Sequence, residues 1–236
     1  MSALVADLSP VSAWANASLW DREYQDMHAI PSSHRVTPSH ALARLLPRTH
    51  VALGASVLDA GAGPGRHSVL LARAGLDVHA VDSSPAACAL LAERTERERL
   101  SIRTDTVALG EHEVPDATYD LIIDSYVSCH ILDPVARLDY LNALLGRLRP
   151  GGHLFTSCMG SGDAYYRHCA RRGGESSSRA TDPLNGITKL LRSRNEFASE
   201  VAALATVAAV GAETFDDAVN GGTYRREVLA AVLTRT

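Results

Sequence analysis

Apolar residues run through the chain in two alternating periods. Short unbroken runs, such as Val57-Leu58 and Tyr119-Asp120-Leu121-Ile122-Ile123, read as strands buried on both faces. Between them stand longer stretches with apolar residues three and four apart, the signature of helices with one buried face. The first such stretch places Ala41, Leu42, Leu45 and Leu46 together and stops at Pro47. A strand over 56–59 follows, then a glycine-rich loop and a helix to Ala74 with Gly75 as its cap. A second strand covers 78–81. Ser84 and Pro85 then supply an N-cap and a first-turn proline for a helix reaching Arg99. A third strand is expected over 100–104, a fourth over 119–124, a helix over 134–148, and a fifth strand after the turn Pro150-Gly151-Gly152.

From 159 to about 188 the pattern loses regularity, and the polar run 171–179 reads as a mobile surface loop. An alanine-rich helix over 195–210 comes next. Two strands, 214–219 and 227–234, close the chain as a hairpin around Asn220-Gly221-Gly222. Strands alternating with helices predict an α/β fold, a doubly wound and mostly parallel sheet. Residues 1–36 lack this alternation and form an arm, with 37–236 as the main domain. In the arm, Trp20 and Tyr24 fall four apart, on one face of a helical turn.

Composition narrows the function. The 236 residues are 46% hydrophobic and 21% charged with a net charge of −4, ordinary for a globular protein and the wrong sign for a nucleic-acid binder. No apolar run is long enough to cross a bilayer, and the first twenty residues lack the layout of a signal peptide, so a cytoplasmic location is expected. Cys88, Cys129, Cys158 and Cys169 form no C-x-x-C pair and read as small buried residues, with Cys129 the best placed for a reactive thiol. His28, His34 and His40 recur evenly, but Pro31 and Pro38 interrupt any shared face and no carboxylate cluster stands near, so no metal is expected.

The chemistry centres on Asp59-Ala60-Gly61-Ala62-Gly63-Pro64-Gly65, between the first strand and its helix. Such a loop turns tightly, lets a ligand approach without meeting Cβ atoms, and leads into the positive end of a helix. Dinucleotide sites use G-x-G-x-x-G; here the spacing is D-x-G-x-G-x-G. Asp82, ending the second strand opposite this loop, is placed to take both hydroxyls of a ribose, because Ser84 already caps the helix.

These features resemble motif I and the second, acidic motif of the class I S-adenosylmethionine-dependent methyltransferases. The turn Pro150-Gly151-Gly152 and the terminal hairpin fit the same pattern. The resemblance implies a seven-stranded sheet with its last strand inserted antiparallel. It also implies S-adenosylmethionine as cofactor, leaving S-adenosylhomocysteine, bound by Asp59, Gly61, Ala62, Gly63, Gly65, Asp82, Ser83, Asp105, Thr106, Ser125 and Tyr126. By the same resemblance, 1–36 is a lid and the insertion at about 159–190 builds the acceptor pocket, giving Trp20, Tyr24, His28, His34, His130, Tyr165 and His168 as substrate contacts. His130, just past the fourth strand, and Tyr24 are the candidates for proton removal.

The absence of prolines at 124–126 speaks against acting on nucleic-acid bases. The expected acceptor is a small molecule, methylated on oxygen or nitrogen by a monomer or homodimer. A peptide acceptor, or a domain that binds cofactor without turnover, is the alternative. A nicotinamide-dependent oxidoreductase would need a catalytic tyrosine–lysine pair, and Lys189, the only lysine, has no such partner in the sequence.

Overall fold

A computed structural model describes residues 16–27, 30, 34–107 and 118–236. Its core is a seven-stranded sheet. Strands β1 (Ser56–Ala60), β2 (Asp77–Asp82), β3 (Ile102–Thr106), β4 (Tyr119–Ser125) and β5 (Leu148–Met159) are joined by β8 (Thr206–Val219) and β9 (Gly222–Thr234) in the order β3-β2-β1-β4-β5-β9-β8. The first five pair in parallel, and β9 enters antiparallel between β5 and β8. This is the Rossmann-like sheet expected from the sequence.

Each face carries its own helical layer. Helices α5 (Pro134–Gly146) and α7 (Arg194–Leu204) bury Leu141, Leu144 and Phe197 against Leu58, Ile122 and Leu154. Helices α2 (His40–Leu45), α3 (Arg66–Arg73) and α6 (Ala164–Gly173) bury Leu42, Leu71 and Tyr166 against Val57, Leu121, Ile123 and Phe155. The remaining long helix, α4 (Pro85–Glu98), packs Leu91 against Val69 and Ala80. Side-chain caps fix where helices start: Ser39, Ser84, Asp133 and Asp163 each accept from a backbone N–H three residues on, and Ser193 with Glu196 forms a capping box on α7.

Several boundaries differ from expectation. Strand β3 begins two residues late and contains Asp105. Helix α5 stops at Gly146, so Leu148 opens β5, and Pro150-Gly151-Gly152 lies inside that strand. The register there jumps from Tyr119↔Leu148 to Leu121↔His153, and a Cβ on Gly152 would stand 2.9 Å from Arg149 O, which makes the segment a glycine-dependent bulge.

Helix α7 ends at Leu204, and residues 206–210 belong to β8. Alanine favours helix, but propensity is a weak determinant. Pairing with β9 from Thr206↔Thr234 onward overrides it. The hairpin turn is the two-residue Asn220-Gly221, both at positive φ (50° and 78°), a type I′ geometry, and β9 starts at Gly222.

The stretch read as irregular is ordered. It forms α6 and an antiparallel ribbon of β6 (Arg179–Thr181) and β7 (Thr188–Leu190). Glu175, inside the polar run, accepts hydrogen bonds from Thr181 N and Oγ1 and holds the ribbon to the end of α6. The arm supplies a short helix α1 (Ala17–Arg22) continued by a π turn (Glu23–Met27).

The candidate active site

Strand order reverses between β1 and β4, and the crevice opens outside the carboxyl ends of these strands, as physical rules for open parallel sheets require. On one side of that crevice stands the glycine loop. Gly61 N and Ala62 N both donate to Val81 O (2.8 and 3.0 Å), which hangs the loop on the end of β2. Gly61, Gly63 and Gly65 all take left-handed φ, of 67°, 55° and 79°. A Cβ at Gly61 would strike Val127, one at Gly65 would strike Leu91, and one at Gly63 would sit 2.9 Å from Tyr24 Oη. Close packing and the backbone conformation together leave no alternative to glycine here.

The two acids behave differently. Asp82 lines the cavity, with Oδ2 accepting from Gly63 N (2.7 Å) and Oδ1 from Ser84 N (2.9 Å). Burial pushes its pKa up, and the two amides oppose that. Asp59 sits behind the loop, where Oδ2 accepts from Ser68 Oγ at 2.5 Å and ties β1 to α3. Burial raises its pKa to about 6, against the Ser68 hydrogen bonds and the Arg66 charge.

Asp59, Gly65, Asp105 and Thr106 do not line the cavity, whereas Gly61, Ala62, Gly63, Asp82, Ser83, Ser125 and Tyr126 do. Asp105 instead binds His79 Nε2 and Arg103 Nη2, each at 2.8 Å, and Val107 forms the wall at that end. Tyr126 holds a left-handed φ of 66° at the end of β4, with the Arg66 guanidinium 5.6 Å from its ring. Asp124 fixes the loop beyond by accepting from Ser128 N and Oγ and from Thr156 Oγ1.

The arm roofs this space. Trp20 and Tyr24 stack with centroids 5.6 Å apart, as their four-residue spacing predicts, and Trp20 meets the His130 ring edge-on at 5.1 Å. Asp21 accepts from Ser84 Oγ (2.6 Å) and Ala86 N (3.1 Å) at the start of α4. Asn16 pairs with the backbone of Thr188 in both directions, Nδ2 to O at 2.7 Å and Oδ1 from N at 3.1 Å. The roof is thereby fastened to the main domain on one side and to the ribbon on the other.

The far half of the cavity is built by the ribbon, α6 and the terminal hairpin. Its walls include Tyr166, Lys189, Arg226, Phe215, Asp217 and Met159. His130 closes it, with Nδ1–H donating to Thr188 O at 3.1 Å and Nε2 buried without a hydrogen-bond partner. Burial and the Lys189 charge lower the His130 pKa to about 3, so its ring is neutral.

Of the expected substrate contacts, Trp20, Tyr24 and His130 line the cavity, and His34, Tyr165 and His168 do not. Tyr165 donates to Asp182 (2.8 Å), His168 packs near Tyr224, and His34 stands beside Tyr24. His28 lies outside the described residues. Lys189 and Arg226 were not expected at the site from the sequence, whereas Tyr166, beside Tyr165 in the insertion that the resemblance assigns to the acceptor pocket, was; Glu213, Phe215 and Asp217 share one strand face by simple alternation. The thiols are no nucleophiles: all four cysteines are unpaired and buried, and burial raises Cys129 to about 11.

The cavity holds about 400 Å³. One end offers a wall without Cβ atoms beneath a buried carboxylate, which suits a nucleoside with a charged tail. Residues 57–152, which contain the loop and Asp82, match the family profile described as "Methyltransferase domain". Over that stretch the chain resembles a methyltransferase domain, and its sheet has the class I methyltransferase fold.

Curated relatives of this chain include "Hemagglutinin 1" of Eikenella corrodens, 33% identical over 132 residues, which are 55% of this chain and 42% of that one. A "Ubiquinone biosynthesis O-methyltransferase" of Methylocella silvestris is 31% identical over 106 residues, 45% of this chain and 40% of its own length. The chain thus spans about two fifths of the length of each. The chain also shares its fold, at a TM-score of 0.68 and 19% identity over 93% of this chain and 92% of the other, with a protein solved in work on "Conversion of a Disulfide Bond into a Thioacetal Group during Echinomycin Biosynthesis".

Proposed function

We propose that the protein transfers a methyl group from S-adenosylmethionine to a small-molecule acceptor. The observation that carries this reading is the roofed cavity itself. A space of about 400 Å³, with the glycine loop and Asp82 at one end and His130, Tyr166 and Lys189 at the other, suits a cofactor and a compact acceptor held end to end. The fastened roof and the net charge of −4 both speak against a duplex or a folded protein as acceptor. The unpaired cysteines suit the reducing cytoplasm.

The sulfonium supplies a methyl group already activated for displacement. The chain's own task is to align the acceptor and exclude water. Asp82 and the glycine wall of the loop hold the nucleoside end, and Trp20 with Tyr24 covers the cavity above. His130 presents an unprotonated Nε2 to the acceptor half. An imidazole held near 3 is a weak base, so its role is to receive and orient an acceptor O–H or N–H. Tyr24 keeps its hydroxyl proton, because burial and the Asp82 charge raise its pKa well above the usual value, and it serves as a donor over Gly63.

Turnover tests the proposal. Supplied with S-adenosylmethionine and a panel of phenols, thiols and amines, the protein should release S-adenosylhomocysteine and add one methyl to a small molecule. Methyl label found only in protein, or no turnover with cofactor bound, would contradict it.

A further inference from the structure

Lys189 is the chain's only lysine, and it is 4% exposed. Its Nζ donates to Tyr166 Oη at 2.7 Å and lies 4.4 Å from the Tyr166 ring centroid and 5.7 Å from that of Trp20. Among the described residues it has no other hydrogen bond, and no carboxylate lies within ion-pair distance. An ammonium has three donors, so two are unmet in a place from which water is largely removed. A buried cation without an anion is costly.

The neighbouring charges do not relieve it. Arg226, the other cation of this wall, stands 5.3 Å from the opposite partner ring, Tyr166, and takes Asp163 at 2.7 Å and Asp217 at 3.3 Å. Asp217 also holds Arg35 at 2.5 Å. Asp182 is occupied by Tyr165 Oη and Leu184 N. Arg226 and Arg35 therefore share Asp163 and Asp217, and Lys189 is left without a carboxylate of its own at the cavity wall. The group stays protonated: burial pushes its pKa down, but the Tyr166 hydroxyl and Cys129 outweigh this and leave it raised.

We propose that Lys189, backed by Tyr166 and Arg226, is the seat for a carboxylate on the methyl acceptor, so that the substrate class is an anionic small molecule. This rests on the methyltransferase reading above. A carboxylate would take the unmet donors and pair with the ammonium at the cavity wall. The amino-acid tail of the cofactor also bears a carboxylate, but Arg66, beside the loop and Tyr126, is the cation nearer that end.

Because there is one lysine, protein labelled with [ε-15N]lysine gives a single side-chain ammonium signal. In the presence of saturating S-adenosylhomocysteine, benzoate is titrated against benzamide, which has the same shape and no charge. The expected result is a saturable shift of that signal with benzoate, at an affinity about tenfold or more above benzamide, the order of a charge-assisted hydrogen bond. Lys189→Met should bind S-adenosylhomocysteine as before and lose the preference, followed by calorimetry. Equal response to both probes, no response to benzoate, or a preference kept by Lys189→Met would overturn the inference. So would S-adenosylhomocysteine alone saturating the signal and blocking benzoate. Failure to bind S-adenosylhomocysteine at all would instead bring down the methyltransferase reading beneath it.

Discussion

Asp59 and Asp82 stand near the ends of neighbouring strands, yet one faces the cavity and the other ties the fold. Asp82 is exposed to the cavity through the gap that Gly63 leaves, while Asp59 is sealed behind the loop with Ser68. A pKa near 6 in the folded state, against an ordinary value of 3.8, means the native protein holds the Asp59 proton more tightly than the unfolded chain does. Between these values the folded state binds more protons, so stability from this group is greatest below pH 3.8 and falls as pH rises through 6. The loss is on the order of 3 kcal/mol by pH 8. Asp59→Asn, which keeps an oxygen for Ser68, should remove that part of the slope. Urea denaturation of both proteins at pH 5 and pH 8 checks it, and parallel losses in the two would refute it.

At this scale the sequence shows what is local. The Ser84 cap and the glycine spacing are local patterns and could be read directly, and Asp82 follows from ending the strand beside the loop. Lys189, Tyr166 and Arg226 meet only because three distant elements converge; Tyr166 lies in the insertion that the resemblance assigns to the acceptor pocket, while nothing around Lys189 or Arg226 in the sequence announces a site. Asp105 shows the converse: its position after an acid-bearing strand suggested ligand contact, but His79 and Arg103, which share the sheet edge, claim its carboxylate.

Among elements, the arm and the ribbon work as one roof, joined by Asn16 and Thr188. Removing the Asn16 side chain deletes two buried hydrogen bonds, each worth about 1 kcal/mol and more where a backbone partner is left unmet. Asn16→Ala should therefore raise hydrogen exchange in 16–25 and 188–190 by roughly tenfold or more and speed ligand release, with exchange in β1 and β4 unchanged. Exchange unaltered at 188–190 would show that the roof does not depend on this joint.

The alternation of buried strands and one-faced helices made the main layers legible. The boundary between α7 and β8 was not, because the helix preference of an alanine-rich run yields to pairing with β9, its partner in the terminal hairpin. Helix α6 was hidden differently: Asp163 caps it and Tyr165, Tyr166, Cys169 and Ala170 form its buried face, but glycines and serines after it masked the period.

On the scale of the whole molecule, sheet order follows from the first strands and their helices, and the crevice follows from sheet order. The part of the crevice formed by the glycine loop and Asp82 was therefore legible in the sequence. The acceptor end is assembled from the arm, the insertion and the terminal hairpin, whose relative placement no local pattern encodes. No helix among the described residues is long and apolar enough to cross a membrane.

The central claim is that the loop after Asp59 and the carboxylate of Asp82 together hold S-adenosylmethionine or its demethylated product. Calorimetric titration of the purified protein with S-adenosylhomocysteine tests it most directly, with Asp82→Ala as the comparison and circular dichroism confirming that both are folded. The account predicts one site per chain, weakened roughly tenfold to a hundredfold in the variant, as expected for loss of hydrogen bonds to a charged group. No binding to the wild type, or equal affinity in a folded Asp82→Ala protein, would contradict it.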